Sequence, residues 1–235
     1  MDGVDVNSFR WVRLLGAGAL AAAAAMTAPS AAVPAANAAP CPDVEVVFAR
    51  GTFEPAGVGG VGQGFVDALR GRIGDKSMTV YPVNYPASTD FPTAAQGVLD
   101  ASNHLQATAA NCPETKMVLG GFSQGAAVAG YVTSDSVPEN FTLPDGLSGP
   151  MPADVADHVA AVALFGEPSP AFLDRIDAPP ITIGSRYEPK TINMCIDTDP
   201  ICSPTGNDGG THGLYAANGM TGQAADFVVQ RLNRR

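Results

Sequence analysis

The chain reads as an α/β protein, a three-layer sandwich in which helices flank a central, mostly parallel five-stranded sheet. Three observations predict this. Short runs rich in Val, Ile and Leu lack the polar alternation of half-exposed strands, as strands covered on both faces do. Helix-like stretches separate those runs, and alternating β and α elements with crossovers of this length imply a parallel sheet. The composition, 46% hydrophobic and 15% charged over 235 residues, supports a substantial core and is not that of a disordered chain.

Taken in order, residues 1–38 stand apart. Arg10 and Arg13 precede a 13-residue apolar run, Leu14–Met26, and an Ala/Pro-rich stretch ends in Ala36-Asn37-Ala38. A basic start, a short apolar centre and a small-residue cleavage site make a secretory signal. The run is too short for a bilayer span of about 20 residues. Cleavage is expected near Ala38, and residues 41–235, with no internal repeat and no linker, read as a single domain. Strands are predicted at Val44–Phe48, Met78–Val83, Lys116–Leu119, Val159–Phe165 and Ile181–Ser185. Helices are predicted at Gln63–Ile73, Thr93–Ala110, Gln124–Ser134 and Gly222–Leu232. Residues 135–157, rich in Pro, Gly and acids, read as a long surface connection remote from the strand tops.

The net charge is −10, and the signal segment removes two acids and two bases, so the mature charge is unchanged. No basic patch remains, which excludes nucleic acid and anionic membrane surfaces as electrostatic partners. No later segment is long and apolar enough for stable membrane insertion. All four cysteines, Cys41, Cys112, Cys195 and Cys202, lie in the mature part. A secreted destination permits disulfides, and four cysteines allow three pairings. Their spacing with histidine is not that of a zinc site, so no metal is expected.

The chemistry is concentrated at Gly121-Phe-Ser-Gln-Gly125, a G-x-S-x-G pattern. A strand enters it and a small-residue helix, Gln124 onward, leaves it. A serine on a sharp strand-to-helix bend is lifted out at the sheet's carboxyl edge, and glycines two positions either side remove a collision. The helix N-terminus beneath offers unpaired N–H groups to a developing oxyanion. Serine alone is a weak nucleophile and needs a base with an orienting acid. Of three histidines, His104 lies in a helical run before the serine and reads as a surface residue. His158 lies at the edge remote from the bend and reads as structural. His212, in the flexible Gly209-Gly-Thr-His-Gly213 before the last helix, remains as the base. Asp197, Asp199 and Asp208 all qualify as the acid. Asp197 and Asp199 lie between cysteines seven apart, where a short closed loop would hold a carboxylate rigidly; Asp199 is preferred, but spacing does not decide it.

Beyond the bend, several motifs together resemble the cutinase family, in particular the secreted cutinase-like esterases of mycobacteria. They are Cys41-Pro-Asp, Val46-Val-Phe-Ala-Arg-Gly-Thr52, Val83-Asn-Tyr-Pro86, Gly120-Gly-Phe-Ser-Gln-Gly125, Val159-Ala-Ala-Val-Ala-Leu-Phe-Gly-Glu-Pro168 and the Cys195-to-Cys202 segment, followed by His212. The resemblance covers nearly all of residues 41–232. It implies a small α/β-hydrolase fold and Ser123, Asp199 and His212 as the catalytic set. It also implies an oxyanion hole from the backbone N–H groups of Thr52 and Gln124, and disulfides Cys41–Cys112 and Cys195–Cys202.

The expected activity is hydrolysis of short- to medium-chain acyl esters through an acyl-enzyme, with no cofactor, by a monomer that is extracellular, free or at the cell wall. Residues 84–92 leave a strand top, and Tyr85 and Phe91 there either rim the acyl site or pack as ordinary loop residues. The chain is too short for a separate lid domain, so the site should be open. Alternatives are an acetylxylan esterase or phospholipase on the same scaffold, or a secreted, non-catalytic surface protein that kept the fold.

Overall fold

The computed structural model describes residues 40–139 and 143–234. The expected signal segment, residues 1–38, lies outside the described residues.

The sheet is built from β1 (Val44–Ala49), β2 (Met78–Pro82), β3 (Lys116–Phe122), β4 (Val159–Phe165) and β5 (Thr191–Met194). Their spatial order is β2-β1-β3-β4-β5, and all four pairings are parallel. The central strands are almost wholly apolar because both faces are covered; Glu45 in β1 and Lys116 at the start of β3 are the charged exceptions. Side chains alternate across a strand. Val44, Val46 and Phe48 therefore join one core layer, while Val47 and Ala49 join the other.

Two helices, α1 (Gly59–Arg70) and α6 (Met220–Leu232), cover the first face. Val61, Phe65 and Leu69 recur every four residues on α1, and Ala224 and Val228 do so on α6; all are buried there with Phe48 and Phe165. On the second face lie α2 (Ala94–Asn111), α3 (Gln124–Val132) and α4 (Ala153–His158). Val98, Leu105, Val128, Val132 and Val155 pack there against Val47, Leu119 and Leu164. A short helix, α5 (Pro170–Arg175), follows β4; the Ser169 side chain caps it by accepting from the Phe172 amide, with Pro170 at its first position.

Three expectations need correction. The fifth strand is Thr191–Met194, not Ile181–Ser185. The Gly184 amide donates to the Thr133 carbonyl (3.0 Å) and the Ser185 amide to Asp135 Oδ2 (2.7 Å). The segment is thus pinned to the end of α3 instead of the sheet, and Ile183 is apolar because it packs on the core. Residues 135–157 are not wholly a connection, since α4 occupies their end and buries Val155 and Ala156. His104 is not a surface residue. Its ring stacks on Tyr81 at 3.5 Å between centroids, and Nε2 lies 3.1 Å from Glu45 Oε1. Burial pushes the Glu45 carboxyl up, but bonds from His104 and Thr108 outweigh that and hold it below the usual range. His158 is structural as expected, with Nδ1 3.0 Å from the Pro113 carbonyl.

Strand order reverses direction at β1 and β3, which diverge toward opposite edges. The carboxyl ends of strands at such a switch point form a natural crevice. Thr52 follows β1 and Ser123 follows β3, so both open onto it.

Candidate active site

Ser123 sits between β3 and α3 with φ 55° and ψ −120°, a conformation costly for a residue with a Cβ. Neighbouring backbone holds it there. The Ser123 amide donates to the Phe165 carbonyl (2.9 Å), and its own carbonyl accepts from Ala126 and Ala127. The bend is possible only without side chains at its flanks. A Cβ on Gly121 would lie 2.0 Å from the Gly125 carbonyl oxygen, and one on Gly125 would lie 2.0 Å from that of Ala49.

From this bend a chain of hydrogen bonds runs inward. His212 Nε2 lies 2.8 Å from Ser123 Oγ, and His212 Nδ1 lies 2.7 Å from Asp199 Oδ2. The imidazole is half-buried on the Phe122 ring, 4.8 Å between centroids. Asp199 is fully buried. Asp197 and Asp208 make neither contact: the Asp208 side chain instead caps the 3₁₀ turn that carries His212, accepting from the Gly210 amide. Cys195 and Cys202 are bonded to each other, as are Cys41 and Cys112. Within the closed loop the Asp199 amide donates to Ile196 and the Ile201 amide donates to Asp199 Oδ1 (2.9 Å), fixing the carboxylate in place.

Sequence reasoning missed two residues. Tyr215, wholly buried, donates its hydroxyl to Asp199 Oδ2 at 2.5 Å. Burial and the neighbouring carboxylate push the phenol well above its usual range, so it stays a donor. The signal was slight: a single aromatic three residues after His212. The other is Arg50, buried after β1. It donates to the carbonyls of Glu54 (2.9 Å) and Tyr85 (2.6 Å), joining the loop that carries Thr52 to the 84–92 loop. Glu54 closes the same loop by accepting from the Gly51 and Gly60 amides, both 2.6 Å. Tyr85 is therefore core, not rim. Its ring is buried and its hydroxyl donates to the Arg50 carbonyl.

Thr52, Ser123, Gln124 and His212 border one open cleft of about 270 Å³. Its other walls are apolar, with Phe91, Phe172, Leu173 and Ile201 among them. The Gln124 side chain donates to the Ser88 carbonyl (2.9 Å), which ties the start of α3 to the 84–92 loop. Among the described residues, the large hydrophobics left exposed are Phe53 and Leu214, adjacent in sequence to Thr52 and close to His212. No group of acids, histidines or cysteines among the described residues is arranged to hold a metal ion. No described helix is long and apolar enough to cross a membrane.

Comparison with known proteins gives a consistent neighbourhood. The family model described as Cutinase matches residues 40–232. A probable carboxylesterase, Culp5, of Mycobacterium tuberculosis is 57% identical over 168 residues, 72% of this chain and 95% of that protein. The phospholipase Culp4 of the same organism is 49% identical over 216 residues, 92% of this chain and 89% of the relative. Among solved structures, a Trichoderma reesei cutinase in complex with a phosphonate inhibitor aligns with a TM-score of 0.60 and 32% identity, over 83% of this chain and 78% of that one.

Proposed function

Because the chain belongs to the cutinase family, we propose that it is a secreted carboxylic-ester hydrolase in which Ser123, His212 and Asp199 perform acyl transfer. The unbroken line of short contacts from Ser123 Oγ through His212 to buried Asp199 carries the reading. His212 takes the serine proton as Oγ attacks the ester carbonyl. Asp199 accepts from Nδ1–H, which selects the tautomer with a free Nε2 and stabilises the imidazolium that forms. The Thr52 and Gln124 N–H groups hold the oxyanion, and the N-terminal end of α3 adds its partial positive charge. His212 then gives its proton to the leaving alcohol, and water repeats the cycle to release the acid.

The apolar cleft walls favour a hydrophobic acyl group, and the relatives named carboxylesterase and phospholipase favour lipid-like esters over sugar acetates. Two disulfides suit an oxidising compartment, which agrees with secretion. The test is hydrolysis of p-nitrophenyl butyrate. Ser123→Ala should lower kcat by roughly 10⁴-fold or more with the fold intact. Retained turnover in a correctly folded variant would end the assignment.

A further inference from the structure

The cleft at Ser123 does not end where its own walls do. A second apolar cavity, about 310 Å³, lies beyond it and includes Ala95, Val98 and Pro179. The two share Phe91, Ala94, Tyr131, Ile176 and Ala178, which form a waist between them. Tyr131 lies seven residues along α3 from Gln124, so the waist is about 10 Å along the helix axis from the nucleophile's bend. The Tyr131 hydroxyl donates to the Pro179 carbonyl at 2.5 Å, which fixes the ring in this shared wall. Burial raises that phenol to about 12, so the bond persists at any physiological pH. Asp177 is the charged residue of the far cavity, and it is exposed at its edge instead of buried in its floor.

We infer that the far cavity is a distal acyl compartment, so that the enzyme accepts esters of long-chain fatty acids whose tail passes the Phe91–Tyr131–Ile176 waist. The inference rests on the esterase reading and adds a substrate class to it. A void of ~150 Å³ holds one benzene, six carbons. By that measure the near cleft takes roughly ten carbons and the far one about as many. Medium chains would fill only the first, and longer chains would find continuous apolar lining instead of water. The lining is suited to an unsubstituted tail, and an anionic group at the tail end would meet Asp177.

The test is covalent inactivation by p-nitrophenyl alkylphosphonates of four to eighteen carbons, each kept below its micellar threshold. Each methylene moved from water to an apolar site is worth up to about fourfold. The second-order rate constant of the wild type should therefore continue to rise beyond ten carbons, by at least tenfold at sixteen. Ala95→Phe places a ring in the far cavity without touching the near cleft. It should flatten the series beyond ten carbons and leave the butyl reagent unchanged. A wild-type series that levels off or falls at ten carbons would overturn the inference, with no variant required. So would an Ala95→Phe series that still rises, or one lowered equally at every length. Failure of the esterase reading would look different: no Ser123-dependent inactivation by the butyl reagent.

Discussion

Asp199 shows how much of a site rests on one buried carboxylate. With no exposure to water, it is acceptable as an anion only if its lone pairs are met by donors. His212, Tyr215 and the Ile201 amide meet them. The Tyr215 hydroxyl and the imidazole share the same oxygen, Oδ2, so the phenol helps set where that oxygen points. On the proposed mechanism Tyr215 is a positioning residue, acting on His212 through Asp199. Tyr215→Phe removes one charge-assisted bond, worth roughly 1.5–3 kcal/mol. We expect kcat to fall about tenfold with KM nearly unchanged. A loss of stability with kcat unchanged would mean that Tyr215 only fills space. None of this was legible beforehand: a tyrosine in a Gly-rich loop carries no mark of its partner, whereas Ser123 and its flanking glycines declare the bend by spacing alone.

Elements were readable where burial governs composition and not where pairing does. The central strands and the helices α2, α3 and α6 lie within a few residues of expectation because their apolar periodicity records their burial. The fifth strand went astray because Ile181-Thr-Ile183 has the composition of a strand but belongs to a loop. Thr191–Met194, with its exposed Asn193, joins the sheet only through β4. That edge has a consequence at Glu167, just after β4. Burial pushes its carboxyl up to about 7 against a lowering bond donated by Asn193. Oε1 has no partner among the described residues. The unfolded chain releases this proton near 4.5, whereas the folded one keeps it to about 7. Between those values the unfolded state binds fewer protons, so stability falls as pH rises through the window and stays reduced above it. Glu167→Gln has no proton to lose and keeps the acceptor for Asn193. It should match the wild type near pH 4 and exceed it by roughly 1–3 kcal/mol near pH 8 in denaturant titrations. An equal difference at both pH values would mean that Glu167 is not neutral when folded.

Over the whole molecule, the same sheet that buries the core also places the residues of the proposed mechanism. Thr52, Ser123 and the Cys195-to-Cys202 loop follow β1, β3 and β5, and His212 returns to them just ahead of α6. On that mechanism the two disulfides should divide the labour between folding and function. Cys41–Cys112 joins the start of β1 to the end of α2 across 71 residues, far from the crevice. Chain-entropy reasoning gives it about 4 kcal/mol, against about 2.5 kcal/mol for the seven-residue separation of Cys195–Cys202. The short bridge constrains less of the unfolded chain but encloses Asp199. Replacing the long pair by serines should therefore lower the unfolding free energy more, with kcat at 25 °C nearly intact while the chain stays folded. Replacing the short pair should cost less stability but lower kcat more, because a loosened loop lets the carboxylate drift from His212 and a displacement of about 1 Å can cost roughly 10²-fold. Denaturant midpoints and turnover measured on the two variants check the inversion. If both quantities rank the variants in the same order, the short bridge is merely a weaker staple, and the rigidity of Asp199 comes from Tyr215 and the loop backbone alone.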